Sequence, residues 1–121
     1  MSNDLRSLLG YFRALSTIEL AAIVAHDGLI IESSSQPGVE VEAICAVASN
    51  GLATAEALGR EVEKGNPVQT LMEYDYGVVV LEAITHEAML LLVANGREEL
   101  GYIRFLVALH RDELIEALEA I

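Results

Sequence analysis

Positive charge is scarce in this chain. Seven lysines and arginines stand against nineteen aspartates and glutamates, giving a formal net charge of −12. Such a surface repels phosphate backbones and anionic lipid headgroups, which argues against nucleic acid as a partner. It serves either to keep an apolar domain soluble or to steer the molecule towards a basic surface on another protein. Cysteine occurs once, so no internal disulfide can form. Cys45 lies in an apolar helical seam, reads as a small core or interface residue, and fits a cytoplasmic location. Long hydrophobic runs are also missing. Mean hydropathy is +0.41, yet the longest apolar stretches, residues 20–25 and 88–94, are far shorter than the ~20 residues a spanning helix needs. No membrane insertion is expected. The first residues lack a basic region followed by an apolar run and a small-residue cleavage site, so no export signal is expected either.

Motifs that carry chemistry are equally sparse. Of the three histidines, none has a second histidine or a cysteine at the spacing by which a helix or hairpin presents two ligands to one metal. His26 adjoins a turn, His86 starts a strand, and His110 falls in line with Val107 and Leu114 as a packed side chain. There is no Walker-type phosphate loop, no G-x-G-x-x-G between a strand and a helix, and no serine or cysteine in a nucleophile context. The expectation is a non-enzymatic protein without cofactor or metal.

What the chain does contain is a core. With 121 residues, 53% of them hydrophobic and 21% charged, it reads as one domain, residues 1–121, and argues against disorder. Its organising stretch is residues 39–64, a helix apolar on nearly every side. Val41, Cys45, Ala48, Leu52, Ala55, Gly59 and Val62 form one seam; Ile44, Val47, Gly51, Thr54 and Leu58 form a second beside it. Only Glu42, Ser49, Glu56 and Glu63 make a polar stripe, narrower than the roughly half-circumference of a surface helix. Gly51 and Gly59 each cost about 0.5–1 kcal/mol relative to alanine inside a helix, and close backbone approach would offset that. One side of the helix is expected to cover the chain's own sheet and the other to meet a second copy. The first seam is assigned to the partner, with the reverse assignment open.

The remaining elements follow in order. Asn3 or Asp4 caps a helix with Leu5, Leu8, Leu9, Phe12 and Leu15 on one face. Residues 18–26 and 29–33 are strands joined by Asp27 and Gly28 as a two-residue hairpin turn. Lys64, Gly65 as a left-handed cap, Asn66 and Pro67 stop the long helix. Strands at 67–74, 77–84 and 86–94 form a meander. From Arg97 a closing helix carries Leu100, Ile103, Val107, Leu114, Leu118 and Ile121 on one face, widened by Phe105, Leu106, Leu109 and Ile115. The continuously apolar strands belong in the middle of the sheet; the short second strand and the alternating third strand belong at its edges. The order α-β-β-α-β-β-β-α predicts an α+β fold with helices on both faces of the sheet.

This pattern resembles the roadblock family of dynein light chains, lysosomal scaffold subunits and bacterial regulators of small GTPases. The resemblance rests on the strand running into Asp27, Gly28 and Leu29, on the Ala-rich helix at 39–64, and on residues 95–104, where Leu100, Gly101 and Arg104 match the way the family's closing helix begins. It implies a three-layer α/β/α sandwich: a five-stranded antiparallel sheet of order 2-1-5-4-3, one long helix on one face and two terminal helices on the other. It also implies homodimers, or heterodimers with another roadblock chain, in which long helices pack together and third strands pair across the dyad. The expected interface is therefore Cys45, Ala48, Leu52, Ala55, Gly59 and Val62 of the helix with Gln69, Leu71 and Glu73 of the strand. Such dimers are platforms for small Ras-like GTPases, scaffolding them or stimulating GTP hydrolysis. A small-ligand sensor of the PAS type and a purely structural dimerisation subunit are the alternatives; the nearly all-apolar inward strand positions count against the sensor.

Overall fold

The computed structural model describes residues 4–121. Its elements run α1 (Leu5–Arg13), β1 (Ile18–Ala25), β2 (Ile30–Ser35), α2 (Val41–Glu61), β3 (Thr70–Tyr74), β4 (Gly77–Ala83), β5 (Ala88–Ala94) and α3 (Leu100–Glu119). The strands form one antiparallel sheet in the order β2-β1-β5-β4-β3. The expected α+β sandwich is thus the observed one, with the apolar strands β1, β5 and β4 inside and β2 and β3 at the edges.

Strand periodicity sorts the core into two layers. Ala21 and Ile23 of β1, Leu90 and Leu92 of β5 and Val78 and Val80 of β4 face α1 and α3, where they meet Leu8, Leu9, Phe12, Ile103, Val107 and Leu114. The alternate residues Leu20, Ala22, Val24, Leu81, Met89 and Leu91 face α2 and pack on Cys45 and Leu52. At nine residues, α1 is shorter than the ~12–15 that an isolated helix needs in water. Leu8, Leu9 and Phe12 are fully buried, and each such side chain contributes about 1.5–3 kcal/mol, so tertiary packing holds α1 in place. Asp4 is its N-cap: the carboxylate accepts from Ser7 N at 2.8 Å. That bond from the Ser7 backbone N–H holds the Asp4 carboxyl below its ordinary 3.8. Asn3, the other candidate cap, lies outside the described residues.

Local geometry departs from expectation at two turns. The β1–β2 connection is a three-residue loop, not a two-residue one: Gly28 N–H donates to Ala25 O, and Ala25 N–H donates to Leu29 O, both at 2.8 Å. Only Gly28, at φ 94°, takes the left-handed conformation there, and Asp27 Oδ1 accepts from Leu29 N at 3.1 Å. This is a type I turn closed by a glycine bulge. At the end of α2 the stop comes earlier than expected. Val62 is the C-cap and Glu63 takes the left-handed position at φ 59°. Glu63 N–H then bonds Arg60 O at 3.2 Å and Lys64 N–H bonds Gly59 O at 2.8 Å, the paired bonds of a Schellman motif. Gly65 does have positive φ, but it lies beyond the cap. β3 likewise starts at Thr70, so Pro67, Val68 and Gln69 lead into it rather than belong to it.

Along α3, Phe105 and Leu109 do not widen the core-facing stripe. Both are more than half exposed, as is Ile121 beyond the helix end, while Ile103, Leu106, Val107, His110 and Leu114 form the buried face. No helix among the described residues is long and apolar enough to cross a membrane.

Candidate functional site

The roll of α2 is set where the β1–β2 turn meets it. A Cβ on Gly28 would come within 3.3 Å of Ser49 Oγ and 3.5 Å of Ala46 Cα, a tight fit that adds to the demand for glycine already made by its φ of 94°. Ser49, expected on the polar stripe, is buried beneath this contact, and its hydroxyl donates to Ala46 O at 2.9 Å. This places Cys45 and Leu52 squarely over the sheet, at 0% and 2% exposure. Those two residues of the first seam are core positions, which corrects their assignment to a partner. Burial also raises the Cys45 thiol above its ordinary pKa, as expected of an inert core thiol.

Of the other assigned residues, Ala48 lines an apolar groove beside α2, and the rest disperse. Ala48 and Ala55 are half-buried and Val62 is exposed at the cap. Gly59 makes its close backbone approach within the chain: a Cβ there would run into the Gly65 carbonyl oxygen. Leu71 packs towards the α1–α3 layer, and Glu73 is exposed. Gln69 turns to the same side and is engaged with α3, as described below.

The most exposed apolar residues of α2 lie on the second seam, although its Ile44 packs on the core. Val47 is 70% exposed and Leu58 61%. α2 lies over β1 and β2, and the uncovered part of the same sheet face forms an apolar groove of about 390 Å³ beside it. Ile44, Val47 and Gly51 make one wall; Met72 and Tyr74 of β3 and Val79 and Leu81 of β4 make the floor and the other wall. The groove runs out to β3, the edge strand of the sheet.

A second feature on the opposite face was missed in the sequence. Glu82 of β4 is only 5% exposed, and both its carboxylate oxygens are engaged. Oε1 accepts from Gln69 Nε2 at 2.8 Å, and Oε2 is paired with the Arg111 guanidinium. Arg111 Nη2 also donates to Ala83 O at 3.0 Å, and Arg104 Nε donates to Gln69 Oε1 at 2.9 Å. The one signal for it was a glutamate at the end of an apolar run, level with Gln69 just ahead of the neighbouring strand. Of the histidines, His110 is packed as expected, stacked on Tyr11 at 4.3 Å with Nδ1 2.7 Å from Glu113 Oε1. His26 is half-buried and His86 exposed.

A family model for the Roadblock/LC7 domain matches residues 6–94. An uncharacterized protein of Methanocaldococcus jannaschii is 30% identical over 87 residues, which is 72% of this chain and 75% of that protein. Among solved structures, MglB of Myxococcus xanthus superposes with a TM-score of 0.86 at 15% identity, covering 95% of this chain and 94% of that one. A Roadblock/LC7 domain from Streptomyces avermitilis superposes with a TM-score of 0.74 at 23% identity, covering 93% and 99%. At those identities the structural likeness speaks for the fold, and the family match carries the assignment: this chain belongs to the Roadblock/LC7 domain family.

Proposed function

We propose that two copies of this chain pair through the α2 groove and the β3 edge, and that the dimer is a non-enzymatic cytoplasmic regulator or scaffold of a small Ras-like GTPase. The observation that carries the pairing is the half-covered sheet face. α2 lies over β1 and β2, and the apolar remainder over β3 and β4 is an open groove beside a helix whose exposed Val47 and Leu58 are themselves apolar. A second α2 laid there would bury Val47 and the groove together. Gly51 supports the reading: a Cβ there would meet Leu81 Cδ1 at an ordinary 3.6 Å, so the chain's own packing does not require glycine, whereas a helix crossing at that point would. The interface residues on β3 are then Met72 and Tyr74, on the α2 side, together with the open strand edge. The absence of convergent polar groups in the groove lining favours a macromolecular occupant over the small ligand of a sensor module.

The GTPase role rests on family membership and on the family's implied use of paired domains as platforms. Light scattering at micromolar concentration should show a dimer, consistent with an interface of about 1,600 Å². Purified dimer should then retain a small Ras-like GTPase of the same organism in at least one nucleotide state. Faster GTP hydrolysis would assign activation and unchanged hydrolysis would assign scaffolding, while no binding in either state would defeat the GTPase reading.

A further inference from the structure

The α3 side of the molecule, remote from the α2 groove, carries a cleft of about 490 Å³ between α3 and the segment leading into β3. Two of the seven basic residues of this acidic chain line it, Arg104 and Arg111. Their situations differ. Arg111 is matched by the buried Glu82 carboxylate, so that pair contributes no net charge. Arg104 has no carboxylate partner among the described residues; it is held through Nε alone, by Gln69 Oε1. The Gln69 amide cannot turn over, because its Nε2 donates to Glu82, and a reversed amide would set oxygen against carboxylate. The result is an exposed guanidinium held at its inner edge by one hydrogen bond to Gln69, itself anchored on the buried Glu82 carboxylate, with both terminal amino groups left for a ligand. That outer edge matches a carboxylate in two-point geometry. Beside it, Phe105 and Val68 are exposed walls of the same cleft. The apolar surface continues along α3 as Tyr102, stacked on Phe105 at 6.0 Å, and Leu109. From Tyr102 to Leu109 is about 10 Å of helix at 1.5 Å per residue, too long a stripe to be matched by one small carboxylate.

We propose that this cleft is a docking site for a peptide segment of another protein that carries an acidic side chain next to apolar ones, the carboxylate on Arg104 and the apolar groups along Phe105, Val68 and Leu109. The charge logic selects this partner. Within this cleft Arg104 is the one cation that no carboxylate of the described residues matches, and a lone guanidinium in a molecule of net −12 suits one carboxylate flanked by apolar groups and does not suit a polyanion. The cleft shares no lining residue with the α2 groove, and its Val68 and Gln69 lead into the β3 edge.

A random heptapeptide phage library selected against the full chain tests it. The expected outcome is enrichment of sequences that pair aspartate or glutamate with leucine, isoleucine or phenylalanine. A synthetic peptide from that set should shift backbone amide resonances at 101–109 and 68–69, and should bind at least tenfold more weakly to Arg104→Gln, whose oligomeric state stays that of the parent. Replacing the peptide's acid by its amide should cost the same factor. The proposal is overturned if no acidic–apolar sequence is enriched, if Arg104→Gln binds the peptide equally well, or if sodium acetate alone saturates the same shifts at the same concentration. It is also overturned if those resonances shift with protein concentration alone and cease to do so in Phe105→Ser, since the occupant would then be a second copy of this chain.

Discussion

Glu63 occupies a backbone conformation, φ 59°, that costs an L-residue with a Cβ roughly 1 kcal/mol relative to glycine. Its role in the cap is carried entirely by backbone bonds, so Glu63→Gly is expected to raise stability by about 1 kcal/mol, read as a higher urea midpoint at constant slope. The buried ion pair makes a less symmetric prediction. Arg111 retains about a third of its side-chain exposure whereas Glu82 keeps almost none, so the two partners do not lose equally when the other is removed. Arg111→Met strands a carboxylate under α3 and should cost about 3 kcal/mol, while Glu82→Gln leaves Arg111 able to reach water and Gln69 still bonded, costing about 1 kcal/mol. Equal losses in a denaturant titration would mean that the relay relaxes around either change.

At the scale of the element, the two faces of α2 differ sharply in burial. Because Leu52 faces the sheet and Val47 faces out, the same substitution at the two positions should have opposite consequences. Leu52→Glu buries an unpaired charge in the core and should unfold the chain at 37 °C. Val47→Glu should leave a cooperatively folded protein whose mass in light scattering is that of a monomer, if α2 pairs as proposed; a dimer in that variant would move the interface elsewhere. The helix itself was legible from its length and apolar periodicity. Its roll was not, because both seams are apolar and the residues that Cys45 and Leu52 pack on, together with the turn at Gly28 beside Ala46 and Ser49, are brought there only in the folded chain. Gln69 and Arg104 were similarly opaque: they stand 35 residues apart, and neither has a local pattern that signals the other.

For the whole molecule, the net charge of −12 acts at a distance. If the proposed dimer meets a GTPase through a basic surface, the association rate should fall severalfold as salt rises from about 0.05 to about 0.5 M, while the dissociation rate changes little. Surface plasmon resonance across a salt series measures both. An association rate indifferent to salt would assign the acidic surface to solubility alone.

Element identity, strand centrality and the antiparallel meander were determined by the sequence itself, since each follows from a short-range period: two for β3, continuous apolarity for β1, β4 and β5, and 3.6 for the helices. A residue's neighbours along the chain dictate these patterns, and they survive without knowledge of the fold. Tertiary structure decided which seam of α2 is core, where α2 stops, and that Gln69 serves α3 instead of the strand edge. In each case two locally acceptable arrangements compete. Packing against residues far along the chain selects between them, through the turn at Gly28, the Gly65 carbonyl over Gly59, and the buried carboxylate of Glu82.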